Sequence, residues 1–276
     1  MTTEPIGTGT VTYAVDEHVA ILRLNRPQYR NAQSRLLREE LDLGFKRALD
    51  DSEVRVIILA AEGDHFSSGH DIGTPEEQAD SQARPYADGS YGEFIKSWEE
   101  NVENTLRWRD LPKPTIAAVQ GYCIFGGWMI ASAMDLIVAA DNARFLPTLL
   151  QYFSVPWDLL NFRRAKEQLW LNEFVSAERA HALGFVSRVV PRERLMDETL
   201  ALAKRVARSD PLTARLVKKT VNEAQDMMGF RTSISTAHSS YTVMQLSGVG
   251  RRETKDGRHE MSAVKQAVAR ERDAKS

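Results

Sequence analysis

The stretch "GYCIFGGWMIASAMD", residues 121–135, sets two glycines, Gly126 and Gly127, where a helix is expected to begin. A glycine pair there leaves bare backbone N–H groups facing outward, and the helix start adds a partial positive charge that suits a developing oxyanion. The same glycines would equally serve close packing of the helix on a strand. A second stretch, "HFSSGHDIG" at residues 65–73, follows an apolar run and ends in a small-residue turn before Asp71. Such a turn can expose N–H groups at the C-terminal edge of a sheet, where open α/β proteins bind ligands. A turn followed by a helix N-cap accounts for it as well. Between Gly126 and Asp135 there is no acid, so an oxygen held by the pair would have no evident proton carrier beside it.

The elements that position these stretches alternate. "VTYAVDEHVAILRLN" reads as two strands joined by a turn, and "NAQSRLLREELDLGFKRALDD" sets Leu36, Leu37, Leu41, Phe45 and Leu49 at helical spacing. "VRVIILAAEG" and "PTIAAVQG" are continuous apolar runs, as in strands covered on both faces. The polar stretch from Pro75 to Gly92 is expected to be a mobile loop near the site, and "EFIKSWEENVENTLRWRDL" a helix ending before Pro112. From about residue 198 onward, four segments read as helices. The fold class expected is α/β, with a core over residues 1–197 and a C-terminal helical appendage over 198–276.

Composition narrows the function. The chain has 276 residues, 42% hydrophobic and 27% charged, with a formal net charge of -2, so a large core can form. No basic stripe with interleaved aromatics is present, which gives no reason to expect nucleic acid. The single cysteine, Cys123, excludes an internal disulfide and a Cys-based zinc cluster, and no metal site is expected. The start, "MTTEPIGTG", lacks the layout of a signal peptide, and no apolar run reaches about 18 residues. A cytoplasmic protein without a membrane partner is the expectation.

Taken in order, "ILRLNRPQYRNA", "FSSGHDI", "KPTIAAVQGYCIFGG", "DLIVAADNARF" and "SAERAHALGFVSRVVP" resemble the crotonase (enoyl-CoA hydratase/isomerase) superfamily. The resemblance covers about residues 10 to 195. It implies a spiral of ββα turns, a coenzyme A thioester as substrate rather than a resident cofactor, and homotrimers or homohexamers whose C-terminal helices contribute to the interface. It implies that the thioester carbonyl rests on two backbone N–H groups, which in this chain match His70 and Gly126. The imidazole of His70 need not then be catalytic. "RPQYRNA" matches the nucleotide-side loop, which sets Arg30 near the phosphates or leaves it a solvated arginine. Asp71 and Ile72 match the strip that binds adenine and pantetheine.

The chain departs from the family in its acids. Hydratases of this family place water with two glutamates, one three residues beyond the oxyanion glycine and one four beyond the phenylalanine of "ARF". Here those positions hold Met129 and Leu149, which cannot transfer a proton. Trp128, Met129, Leu146, Leu149, Leu150 and Trp157 suggest an apolar acyl pocket. Asp158 is a candidate acid or base, or else a helix cap; His65 and Tyr152 are further candidates. The resulting expectation is an acyl-CoA lyase or isomerase, labelled enoyl-CoA hydratase by resemblance. Its reaction would be isomerisation, decarboxylation or C–C cleavage; the alternative is a silent acyl-CoA-binding protein.

Overall fold

Apolar residues follow one another without a polar break in two runs because both faces of those strands are covered. The structure is a computed structural model describing residues 2–148, 153–159, 161–247 and 263–273. Its strands are β1 (Glu4–Ile6), β2 (Val11–Asp16), β3 (Val19–Leu24), β4 (Val56–Ala61), β5 (Thr115–Val119), β6 (Tyr122–Ile124), β7 (Leu136–Ala140), β8 (Arg144–Leu146), β9 (Val175–Ser176) and β10 (Arg188–Val190). The earlier helices are α1 (Arg35–Asp50), α2 (Pro75–Ala83), α3 (Gly89–Phe94), α4 (Asn104–Arg109), α5 (Gly126–Ser132) and α6 (Val155–Asp158). After them come α7 (Phe162–Leu171), α8 (Ala177–Ala182), α9 (Leu195–Val206), α10 (Pro211–Met227), α11 (Phe230–Leu246) and α12 (Ala263–Asp273).

Seven strands form one sheet in the order β1-β2-β3-β4-β5-β7-β10, and β6-β8-β9 form a small second sheet. The large sheet is antiparallel through β1, β2 and β3 and parallel from β3 to β10. Alternation along β4 and β5 sends Ile57, Leu59, Ala117 and Val119 to the face that packs Leu37, Leu41 and Phe45 of α1. Val56, Ile58, Ile116 and Ala118 point the other way, against Leu195, Leu202 and Ala203 of α9. Each central strand is followed by a piece of the small sheet and then a helix. β5 leads to β6 and α5, and β7 leads to β8 and then α6. β4 leads to Ser67, bridged to Cys123 of β6, and on to α2. This is the ββα spiral expected.

Two expectations change. The stretch from Pro75 to Gly92 is no loop throughout: Pro75–Ala83 is α2, and its cap, Thr74, accepts from the Glu77 N–H. The signal was Thr74 before Pro75 with Glu76 and Glu77 in the first turn. Arg26 pairs with Glu76 at 2.6 Å and the Arg35 N–H donates to Glu77 at 2.9 Å, which fastens α2 to α1 and the loop before it. The division at residues 197 and 198 falls inside α9, whose apolar side covers the second sheet face and belongs to the core. The helices beyond it are α10, α11 and α12. The helix expected before Pro112 is present, and its middle, Ile95–Glu103, is wound as a π-helix. No helix among the described residues is long and apolar enough to cross a membrane.

Candidate active site

Backbone pairing draws the two glycine-bearing stretches together. The Phe66 N–H donates to Gln120 O at 2.7 Å, Ser67 N–H to Tyr122 O at 2.9 Å, and Ile124 N–H to Ser67 O at 3.0 Å. Two residues on, Gly69 turns with φ +97°, and a Cβ there would lie 3.0 Å from Ile124 O and 3.4 Å from Gly126 N. Only glycine allows that turn and that approach. His70 follows, stitched to α1's leading loop by Gln33 N–H to Gly69 O at 2.8 Å and Asp71 N–H to Gln33 O at 3.1 Å.

On the other side, Phe125 takes φ +42° ahead of α5, an unusual conformation for a bulky residue. It leaves Gly126 as the first helical residue. Neither the His70 N–H nor the Gly126 N–H donates to an acceptor among the described residues. Close packing is realised too: a Cβ on Gly126 would lie 2.9 Å from Gln33 Oε1 and from His70 Nε2, and one on Gly127 2.8 Å from Ser67 O. The glycine pair thus packs α5 closely on its neighbours, and the Gly126 N–H is left without an acceptor among the described residues.

The His70 ring lies half-buried with its edge to Phe125, centroids 5.1 Å apart. Burial, then the charges of Arg38 and Lys96, push its pKa down to about 3, so the imidazole is neutral at pH 7. Arg38 itself is held by Gln33 O at 2.9 Å and by Glu100 at 2.8 Å.

Asp158 is placed differently from a free acid. Its Oδ2 accepts from Trp128 Nε1 at 2.6 Å, Ser132 Oγ at 2.8 Å and Ser154 Oγ at 2.5 Å. Burial raises its pKa to about 6 even though all three donors act to lower it. Trp128 and Ser132 lie about 200° and 240° around α5 from Gly126, so this carboxylate braces another flank of the helix. The cap of α7 is Asn161, which accepts from the Arg163 and Arg164 N–H groups, so Asp158 is not that cap. His65 is not free either: its Nδ1 accepts from the Tyr122 N–H at 3.1 Å and its ring stacks on Tyr122 at 4.6 Å.

The expected acyl pocket divides. Trp128 is fully buried, stacked on Phe185 at 4.1 Å and edge-on to Phe145 at 6.1 Å, and belongs to the main core rather than to a pocket wall. Leu146 is likewise buried, beside Ile124 and Ala267. Met129 packs with Val102, Phe153, Phe230 and Ile234, and Trp157 and Phe125 border that cluster. The Trp157 indole N–H donates to Ser233 Oγ at 2.7 Å. Leu149, Leu150 and Tyr152 lie outside the described residues. Sequence reasoning missed that α11 supplies Phe230, Ile234 and Tyr241 beside Met129. Its helical pattern was visible, but nothing in it named the surface it would cover.

On the side expected to meet coenzyme A, Arg30 is exposed at φ +50°, and its carbonyl accepts from the Ser68 N–H at 2.9 Å. Ile72 is 96% exposed. The Asp71 side chain is not offered to a ligand. It is sealed against Arg26 at 2.9 Å and also accepts from Thr74 and Gly73. Burial works to raise its pKa, but the bonds from Thr74, Gly73 and Arg26 outweigh it and hold the carboxyl below its usual range. Arg26, buried and unnoticed in the sequence, is the hub of this loop.

With that geometry in place, comparison with known proteins gives the relationship. A family model described as enoyl-CoA hydratase/isomerase matches residues 14–246. The Mycobacterium tuberculosis protein EchA13, named for enoyl-CoA hydratase, is 36% identical over 238 residues, covering 79% of this chain and 74% of its own. A crystal structure from Mycobacterium smegmatis, also described by enoyl-CoA hydratase, superposes with a TM-score of 0.78 at 36% identity, covering 86% of this chain and 96% of that one. A monofunctional enoyl-CoA isomerase from M. smegmatis is similar with a TM-score of 0.65 at 28% identity, over 78% of this chain and 93% of its own. The chain belongs to the enoyl-CoA hydratase/isomerase family of the crotonase superfamily.

Proposed function

We propose that the chain is an acyl-CoA-processing enzyme that stabilises a thioester enolate on the backbone N–H groups of His70 and Gly126. Its reaction is an isomerisation, a decarboxylation or a C–C cleavage rather than an ordinary hydration. The observation that carries this reading is a pair of N–H groups, on two ββα turns packed against each other, that have no acceptor among the described residues. Two donors fixed before substrate arrives stabilise charge that develops only in the reaction, and one such donor is typically worth about 2.7–4 kcal/mol. Where the hydratase pattern needs a carboxylate, the buried thioether of Met129 stands among aromatic and aliphatic side chains. In this reading Arg30 and the exposed Ile72 flank the nucleotide end of the coenzyme, and Met129 and Trp157 border the acyl end.

A second reading is a silent acyl-CoA-binding protein. It is favoured by Asp158, the one acid that hydrogen-bonds to α5 side chains among the described residues, being occupied by three donors. Incubation with enoyl-, β-ketoacyl- and malonyl-type CoA esters separates the two. Turnover of any of them supports the enzyme, binding without turnover supports the module, and failure to bind any acyl-CoA overturns both.

Assembly into trimers or hexamers is part of the proposal. α10 leaves Leu212, Leu216, Val217 and Val221 exposed, with Met227 and Met228 at its end. An apolar stripe of this kind is suited to cover by another copy of the chain.

A further inference from the structure

The His70 side chain has no role in a purely backbone oxyanion hole, yet its surroundings are specific. Neither ring nitrogen has a hydrogen-bond partner among the described residues, and neither is sealed from solvent as an orphan would be. Nε2 and Cδ2 lie 2.9 Å from the point where a Cβ on Gly126 would sit. A ligand oxygen seated on the Gly126 N–H therefore has this ring as a neighbour. The flanking groups come from three elements: Arg38 on α1, Lys96 on the π-helix and Phe125 ahead of α5. The Arg38 charge is largely answered by Glu100 at 2.8 Å. Lys96 is exposed, makes no ion pair among the described residues and lies 5.8 Å over the Tyr86 ring. A neutral imidazole under two cations is a poor base but a capable N–H donor, the use made of such a ring when it polarises a carbonyl.

We infer that the His70 imidazole selects the acyl group. Unpartnered beside Gly126 and near Lys96, it donates its N–H to an oxygen on the β-carbon of the acyl chain. The favoured substrates are then acyl-CoA esters bearing a carboxylate or a carbonyl at that carbon. The inference rests on the acyl-CoA reading above. It places the oxygen at the β-carbon because the ring adjoins the glycine that holds the thioester carbonyl, so only the first carbons of the chain come within its reach. No bond is made or broken by the imidazole in this role; it is a positioning residue.

Calorimetric titration with malonyl-CoA, acetoacetyl-CoA and butyryl-CoA tests it. The wild-type chain is expected to bind at least one of the two β-oxygenated esters about tenfold or more tighter than butyryl-CoA, the scale of a hydrogen bond to a charged or strongly polar acceptor. In His70→Ala, which keeps the backbone N–H, that preference should collapse to within about threefold, because the β-oxygenated esters lose more affinity than butyryl-CoA does. If His70→Ala does not hold its fold, His70→Phe fills the same place without a donor and is read the same way. A preference confined to malonyl-CoA assigns the oxygen to a carboxylate, and one confined to acetoacetyl-CoA to a carbonyl. The inference is overturned if the wild type shows no preference, if the variant keeps it, or if the variant weakens all three esters alike. Failure of the wild type to bind any of the three would instead remove the acyl-CoA reading itself.

Discussion

The imidazole of His70 lies against the α-carbon of Gly126, so close that a β-carbon added to Gly126 would sit 2.9 Å from Nε2. Residues more than fifty positions apart thus pack together, and neither backbone N–H has an acceptor among the described residues. Substitutions at the two positions separate backbone from side chain.

Gly126→Pro removes one N–H, and proline is tolerated at a first helical position. Turnover of any substrate is expected to fall by about 10²–10³. Gly126→Ala is the control, because it adds the same crowding against His70 and Gln33 and keeps the N–H. It should lose much less. On an ester without a β-oxygen, His70→Ala should also lose far less than Gly126→Pro. Both Gly126 variants need a check of folding by circular dichroism, since Phe125 before them holds φ +42° and ψ −97°.

Crotonyl-CoA hydration should be far below that of a competent hydratase. A general acid or base usually contributes about 10²–10⁴-fold, and Met129 and Leu149 stand where two are needed. The absorbance of the conjugated thioester gives the rate directly. An ordinary turnover of about 1–10³ per second would show that another acid serves the double bond.

Asp158→Asn distinguishes a brace from a proton carrier. The folded-state pKa, raised to about 6 by burial, exceeds the 3.8 of an unperturbed aspartate. The folded state therefore favours the protonated carboxyl. The corresponding stability is full below about pH 4 and is lost as pH rises through about 6, a change of about 2–3 kcal/mol at most. Asparagine does not ionise, so the melting temperature of the variant relative to wild type should climb between pH 4.5 and 7.5. Turnover should persist. A folded variant that loses more than about a hundredfold in activity would make Asp158 the proton carrier after all.

The α10 stripe should be a subunit contact. Leu216→Lys with Val221→Asp replaces two exposed apolar side chains by charges, and should shift a trimer or hexamer toward monomer in light scattering without melting the core. A wild-type chain that is already monomeric at micromolar concentration would end this proposal.

The α/β alternation was readable because β4 and β5 are covered on both faces, which leaves unbroken apolar runs, whereas the spiral followed only from the family resemblance. Pairings remote in sequence were not readable. Asp71 looked available for a ligand because its partner, Arg26, lies 45 positions upstream. Trp128 and Met129 are neighbours in the chain, yet the helix turns one into the main core and the other toward α11. Asp158 read as a candidate acid or base, or else as a helix cap. Its three donors, two on α5 and one on Ser154, are partners that spacing alone cannot show.

The most direct measurement is a crystal structure with a non-reactive acyl-CoA thioether or thioester analogue bound. If His70 and Gly126 hold the substrate through their backbones, the carbonyl oxygen will lie about 2.7–3.1 Å from both nitrogens. A carbonyl oxygen that reaches neither N–H, with the coenzyme seated elsewhere on the chain, would contradict the oxyanion hole and the function built on it.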